Sequence, residues 1–346
     1  MTDLGPWLDA VPDAVVDRIR SARRVLAVGH ENPDADTLGS TLAVCRLVER
    51  GGGRATAVFS DPVPPLYAFL PDVGRARTDP EPDVEYDLVV ASDFGSLDRA
   101  GSLAERHADL FTRTPRVVID HHASTQPTGG VDWIDPAAAA TCEMTALLAI
   151  RLGARLDEDD GAIAALLMAG IVMDTATFAH PNTTARTLAV SSALVEAGAP
   201  LSEISRRLYR SKPEAQLRLF GIVLARLESA AGGRIVHSSL SDRDLEASGA
   251  IPAHSEGIID LLAQVDTADV AIVFKESGDA TRISVRTKPG GVDATVLTGI
   301  FGGGGHARAA GATIPLPVDQ ARVAVLAEAE RLVKQIAPAE AAAVSG

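Results

Sequence analysis

Apolar residues follow two rhythms along this chain. In the first third they form short unbroken runs between polar turns: RVLAVGH at 24–30, ATAVFS at 55–60, DLVVASD at 87–93 and RVVIDHH at 116–122. Runs of this length, rich in valine and closed by polar residues, predict buried strands. Helix-periodic segments such as 37–50 lie between several of them, and this alternation predicts parallel strands joined by crossover helices. In such an open sheet, ligands bind just beyond the carboxyl ends of the strands.

Residues 141–230 read as mostly helical, with caps at Thr141 and Asp159 and turns at GARLDEDD and EAGAPLS. Strand-like runs return after SAAGGR at 229–234, as RIVHSSL, ADVAIVFKES and TRISVRTK, before a helical tail at 319–335 and an alanine-rich end. A chain of 346 residues exceeds the usual size of one core. The expectation is therefore an α/β protein of two domains. Residues 1–230 would hold a mainly parallel, Rossmann-like sheet with a helical connector, and 231–340 a smaller mixed α/β domain.

The longest apolar stretch, AIAALLMAGIVMDTATFA at 162–179, is interrupted by Asp174, and the clean run before it is too short to cross a bilayer. It reads as a buried helix carrying an acid at its end. The N-terminus mixes charged with apolar residues and lacks the core of a signal peptide. No membrane partner is expected, and the cytoplasm is the expected compartment. Cys45 and Cys142 each stand in apolar helical contexts without a CxxC partner and read as core thiols. The formal charge of −14 argues against tracking a long polyanion, because that binding draws on many Lys and Arg neutralising phosphates. An anionic substrate would be short and held locally.

Against this background the strand ends stand out. GHENPDADTLGS at 29–40 gathers His30, Asp34 and Asp36 at the mouth of one strand. A second strand ends in Asp93, a third in Asp120-His121-His122, and the buried helix in Asp174. A single aspartate at a strand end is usually a turn former or a helix cap. The joint pattern is a set of oxygen and imidazole donors suited to Mn²⁺, Mg²⁺ or a related divalent ion, and large enough for two. Such a pair of ions orients a phosphoryl group and activates water, so phosphate ester or anhydride hydrolysis is the natural chemistry.

The second candidate feature is FGGGGHARAAGATI at 301–314, where four glycines precede His306. Their backbone N–H groups could approach an anion closely, with His306 and Arg308 adding charge. In TRISVRTKPGG, Arg282, Ser284 and Arg286 fall on one face of a strand, with Lys288 continuing it. That face is either solvated or a second phosphate contact. His107, His237 and His254 read as structural, and His180, six residues after Asp174, is left open between the two readings.

These ordered motifs resemble the DHH phosphoesterases, and GGGGHARAAG resembles their DHHA1 domain rather than the DHHA2 domain of family II pyrophosphatases. With only these two modules expected, the chain is similar to the NrnA-type enzymes. The resemblance implies hydrolysis of short oligoribonucleotides such as pApA to monophosphates, and removal of the 3'-phosphate from 3'-phosphoadenosine 5'-phosphate. It implies one Mn²⁺ on His30, Asp34 and Asp93 and a second on Asp36, Asp93, His121 and Asp174, with Mg²⁺ or Co²⁺ as alternatives. Asp120 and His122 would orient His121 and touch the scissile phosphate. Gly303, Gly304, Gly305 and His306 would hold the substrate phosphate, and Arg286 its terminal phosphate. The resemblance puts the active site in the cleft between the domains and is compatible with a homodimer. Cleavage of cyclic di-AMP is the enzymatic alternative, and a dinucleotide sensor without turnover the non-enzymatic one. A processive exonuclease on long DNA conflicts with the acidic charge.

Overall fold

The computed structural model describes residues 2–94, 96–128 and 130–336. The alanine-rich end, including the last residues assigned above to the second domain, lies outside the described residues. The chain parts into two compact units between Ser211 and Lys212.

In the first unit, two short helices, α1 (Gly5–Leu8) and α2 (Asp13–Ser21), lead into strand β1 (Arg24–Val28). Next come α3 (Ala35–Arg50), β2 (Arg54–Val58), β3 (Leu88–Ser92), α4 (Ser102–Arg106), α5 (Ala108–Arg113), β4 (Arg116–Asp120) and β5 (Val131–Ile134). The sheet has the order β2-β1-β3-β4-β5, and every pairing in it is parallel. The four apolar runs are β1 to β4. Strand β5, a half-buried edge with only Trp133 fully enclosed, has no counterpart among the expected strands.

In this order the chain moves from β1 out to β2 and then back across to β3. The winding reverses between β1 and β3, and an open sheet leaves a crevice beyond its carboxyl edge at such a reversal. His30 follows β1 and Asp93 follows β3, so the two flank that crevice.

The remaining helices of this unit are α6 (Thr141–Arg151), α7 (Ala162–Asp174), α8 (Ala185–Glu196) and α9 (Leu201–Tyr209). Helix α7 is apolar around nearly its whole circumference because α3, α6, α8 and α9 all pack against it. Among the described residues no helix is long and apolar enough to cross a membrane. Both cysteines are buried and unpaired. The expected caps are displaced by one or two residues: Ala140 precedes α6, leaving Thr141 as its first residue, and Gly161 in a left-handed conformation precedes α7, while Asp159 lies in the short turn before it.

The second unit opens with α10 (Glu214–Leu224) and continues with β6 (Glu228–Ala230), β7 (Ile235–Leu240), α11 (Asp242–Ser248), α12 (Ile258–Leu262), β8 (Val270–Ser277) and β9 (Ala280–Thr287). It ends with α13 (Ala294–Gly299), β10 (Gly304–His306), β11 (Ala309–Ile314) and α14 (Val318–Lys334). Helix α10 belongs here, ahead of the expected division at Ala230, because Leu219, Phe220 and Val223 share a core with Val236, Leu245 and Leu262. The sheet runs β10-β11-β9-β8-β7-β6, with β7 and β8 parallel and the other pairs antiparallel, so the unit is the mixed α/β domain expected and its sheet is mixed in direction.

Candidate active site

The strand-end residues of the first unit meet at the crevice. Asp34 is the N-cap of α3, and its Oδ1 accepts the amides of Asp36 and Thr37, both at 3.0 Å. The capping role and a ligand role are compatible, since one oxygen caps the helix and Oδ2 is left over. Asp36 is fully buried, and its carboxylate accepts the backbone N–H of Thr141 at 2.7 Å and of Cys142 at 2.8 Å. Those amides begin α6, where unpaired N–H groups and the helix dipole favour an anion.

Asp93 departs from the regular path of β3. Its φ of +68° lies in the left-handed region, which costs a non-glycine residue free energy and is retained where the surroundings enforce it. The amide stays on the sheet, donating to Ile119 O at 2.9 Å. The carboxylate accepts Thr37 Oγ1 at 2.5 Å on one oxygen and Thr141 Oγ1 at 3.1 Å on the other. His30 Nε2 lies 3.4 Å from Asp93 Oδ2.

His121 presents Nε2 to three carboxylates: Asp174 at 3.2 Å, Asp93 at 3.6 Å and Asp36 at 3.9 Å. Its Nδ1 faces the carbonyl of Ala138 at 3.3 Å, which fixes the ring and frees Nε2 to point inward. Asp120, fully buried, bonds elsewhere: it accepts His122 Nδ1 at 2.7 Å and the Thr125 hydroxyl. The orienting partner of His121 is therefore the Ala138 carbonyl, and Asp120 orients His122.

Among the described residues, donor atoms group in three sets that could each hold a cation: His30, Asp34 and Asp93; Asp36, His121 and Asp174; and Asp93, His121 and His122. His180 is not among them; its Nδ1 bonds the backbone carbonyl of Asp174 at 2.9 Å.

The electrostatics show a cluster with too much negative charge. Burial, followed by the charges of Asp93 and Asp174, lifts the Asp34 carboxyl to about 6 and pushes Asp36 well above the carboxylate range. Asp174 is raised by burial too, against the opposing bond from His121. Asp93 goes the other way. Burial opposes its charge, but hydrogen bonds and charge from His30, with Thr37 and His121 adding to them, hold it below the usual range. Burial also opposes a charged His121, yet the bond to Asp174 and the charge of Asp36 raise it to about 10. A divalent cation would supply the positive charge that these crowded, buried carboxylates favour, so the donor set fits a metal.

Thr37, Thr141 and the Ala138 carbonyl were not singled out by the sequence reading as parts of the site. Only position hints at them: Thr37 follows Asp36 directly, and Thr141 reads as a cap.

The candidates in the second unit are arranged differently from a free anion loop. Gly304, Gly305 and His306 form β10, paired with Gly311, Ala310 and Ala309 of β11. Close approach explains two of the glycines: a Cβ at Gly303 would stand 2.2 Å from Gly311 O, and one at Gly305, whose φ is +140°, would stand 2.6 Å from Ala309 O. His306 is exposed at the strand end. Arg286 donates to Asp260 at 2.9 Å. Arg308 and Lys288 are spent on backbone carbonyls, Arg308 on Lys288 O at 2.6 Å and Lys288 on Val265 O at 2.8 Å.

A reversed-winding parallel sheet with a buried carboxylate and imidazole basin at its switch point could hold divalent cations, an arrangement suited to metal-assisted phosphoester hydrolysis. Comparison with known proteins gives the family. The DHH family N-terminal domain matches residues 24–171 and the DHHA1 domain matches 232–335. The chain belongs to the DHH phosphoesterase family, in its DHH plus DHHA1 form. It is 32% identical over 298 residues to the bifunctional oligoribonuclease and PAP phosphatase NrnA of Thermus thermophilus, covering 86% of each chain. It is 26% identical over 309 residues to the protein of the same description from Bacillus subtilis, covering 88% of this chain and 93% of that one. An exopolyphosphatase-related protein from Bacteroides fragilis shares the fold, with a TM-score of 0.84 at 21% identity over 94% of this chain and 98% of the other.

Proposed function

We propose that this protein hydrolyses short oligoribonucleotides such as pApA to nucleoside monophosphates and removes the 3'-phosphate from 3'-phosphoadenosine 5'-phosphate. The observation that carries the reading is the convergence on Asp93, which belongs to two of the three donor sets, in a chain similar along most of its length to NrnA enzymes. Two divalent ions are the proposed complement, Mn²⁺ with Mg²⁺ or Co²⁺ as alternatives. His30, Asp34 and Asp93 would hold one, and Asp36, Asp93, His121 and Asp174 the other. Bound there, divalent ions supply charge stabilisation at the phosphoryl oxygens and a lowered pKa for water.

The chain's own groups do the rest. The hydroxyls of Thr37 and Thr141 fix both oxygens of Asp93, and the start of α6 fixes Asp36, so the donor set is held in place before substrate arrives. His122, the more exposed of the two site histidines after β4, is oriented through Nδ1 by Asp120. Its Nε2 is thereby the nitrogen available to a phosphoryl oxygen or leaving group. On the second unit, Gly303 to Gly305, His306 and Arg286 are the proposed contacts to substrate phosphates.

The test is product analysis with Mn²⁺ and equal concentrations of pApA, 3'-phosphoadenosine 5'-phosphate, cyclic di-AMP and pyrophosphate, on the protein and its Asp93→Ala variant. AMP from the first two, lost in the variant, is the expected result. Preferential loss of cyclic di-AMP would make it a cyclic-dinucleotide phosphodiesterase, and tight binding of pApA in Mn²⁺ without turnover would make it a sensor.

A further inference from the structure

Asp174 closes α7, and the chain leaves it by an unusual path. Ala176, Thr177 and Phe178 have φ of +47°, +58° and +66°, three consecutive left-handed residues without a glycine. L-residues visit that region singly as a rule, because Cβ crowds the following carbonyl oxygen, so a run of three persists only where its surroundings enforce it. Thr175, fully buried, donates its hydroxyl to Ile171 O at 2.6 Å and accepts the Phe178 amide at 2.9 Å. The Thr175 carbonyl accepts the amides of Ala179 at 2.7 Å and His180 at 2.9 Å, and the Thr177 amide donates to Val172 O at 2.9 Å.

This turn brings residues 180–182 back to the end of α7. The carbonyl of Asp174 stands in the last turn of the helix, where no partner is available inside it, and accepts His180 Nδ1 at 2.9 Å and Asn182 Nδ2 at 3.3 Å. The same Nδ2 donates to Ala139 O at 3.1 Å. Both of its partners are acceptors, so the amide nitrogen and not the amide oxygen faces them, and a carboxylate of the same shape could not take its place. Asn182 therefore joins two segments that meet on His121. Ala138, the neighbour of Ala139, presents its carbonyl to Nδ1 of that ring at 3.3 Å, and Asp174 meets Nε2 at 3.2 Å.

We infer that Asn182 is a positioning residue for the donor set Asp36, His121 and Asp174, and that the left-handed turn at 176–178 is the device that delivers it. The amide holds the backbone at Ala139 and the backbone at Asp174 at the separation in which His121 is gripped at both ring nitrogens. Asn182 is itself exposed, so its contribution falls on the geometry of the donor set rather than on the core. The inference rests on the proposed metal site and deepens it, by naming a residue outside the donor set that governs part of it.

The experiment titrates Mn²⁺ into the metal-free protein by calorimetry, for the wild type, Asn182→Ala, Asn182→Asp and Ala176→Gly, and measures the Tm of each metal-free chain. Asn182→Ala should weaken one Mn²⁺ at least about tenfold, the lower end of what a residue orienting a metal ligand contributes, and leave the ion on His30, Asp34 and Asp93 within about twofold. Its Tm should move by no more than about 2 °C, the effect of an ordinary surface substitution. Asn182→Asp separates positioning from charge: an added carboxylate attracts Mn²⁺ through space, whereas its oxygens repel the two carbonyls. Weaker Mn²⁺ binding in this variant supports the inference, and binding equal to or tighter than that of the wild type overturns it. Unchanged affinity in Asn182→Ala overturns it too, as does an equal loss of both ions with a Tm lowered by more than about 5 °C, which would make Asn182 a folding residue. Glycine takes the left-handed conformation freely, so Ala176→Gly should keep wild-type Mn²⁺ affinity, and a tenfold loss there would overturn the role of the turn. A wild type that binds no Mn²⁺ fails the metal site and the role of Asn182 together, whereas failure of the inference alone leaves wild-type binding intact.

Discussion

A methyl group placed on Gly170 would stand 2.5 Å from Oδ1 of Asp36 and 2.4 Å from Sγ of Cys142. Helix α7 therefore approaches α3 and the start of α6 at the depth of the site itself, and glycine is the residue that permits it. Gly170→Ala would push on the Asp36 backbone, whose Cα is 2.8 Å from that position, so the strain cannot be relieved by a side-chain rotation. Overpacking of this kind costs about 1–3 kcal/mol. The expected outcome is a lower Tm together with weaker Mn²⁺ binding, read by thermal unfolding and by metal titration. Unchanged metal affinity would show that α7 does not set the position of Asp36.

The two threonines that hold Asp93 make a sharper case, because neither touches a substrate in the proposed reading. Replacing Thr37 or Thr141 by valine keeps shape and removes one hydroxyl from Asp93. Groups that orient a metal ligand are worth roughly 10–100-fold in metal affinity or activity. Each variant should need correspondingly more Mn²⁺ for half-maximal rate, and a Thr37→Ser or Thr141→Ser variant should recover most of the loss. A valine variant with wild-type metal dependence would assign those hydroxyls to folding alone.

Much of this site is legible in the sequence, for a physical reason. Period and length marked β1 to β4, and a parallel sheet puts its chemistry at strand ends, so His30, Asp93 and the Asp120-His121-His122 triplet stood where ligands belong. The hydroxyls of Thr37 and Thr141 escaped notice because threonine at a helix start reads first as a cap. Strand β5 was missed because VDWI is a four-residue, half-buried edge. Strands β10 and β11 were missed because glycine and alanine carry little strand signal. Their pairing is made by backbone approach, as the overlap between Gly303 and Gly311 shows, and no hydrophobic alternation records it.

The segment that delivers Ala138, Thr141 and Cys142 to the site is clamped by a buried ion network. Arg186 Nε donates to Glu143, its Nη1 donates to Asp135 at 2.8 Å, and Glu143 Oε2 accepts the Ala139 amide at 3.3 Å. Glu143 is fully buried, so removing the guanidinium strands a charge. Breaking one partner of a buried pair costs about 3–5 kcal/mol. Arg186→Ala should fall in that range by denaturant unfolding, while Arg186→Met combined with Glu143→Gln should recover part of it. A loss below about 1 kcal/mol, the level of an exposed pair, would mean that water enters the network.

In the second unit, Asp244 gives a pH dependence whose sign follows from its partners. Burial opposes its charge, but the two-pronged bond from Arg226, 2.8 Å on each oxygen, and the bonds from Ser241 hold its carboxyl below the usual range. A carboxyl depressed in the folded state binds fewer protons there than in the unfolded chain, so it adds stability above its unfolded pKa of about 3.9. That contribution is lost as the pH falls through the folded value. Asp244→Asn keeps the shape but cannot titrate. Wild type should therefore exceed the variant in stability at pH 6 and lose that advantage below about pH 4, the unfolded carboxylate range, when unfolding is followed by urea titration at each pH. A difference between the two proteins that stays constant from pH 6 to the acid limit would show that the Arg226 bond contributes no charge-dependent stability.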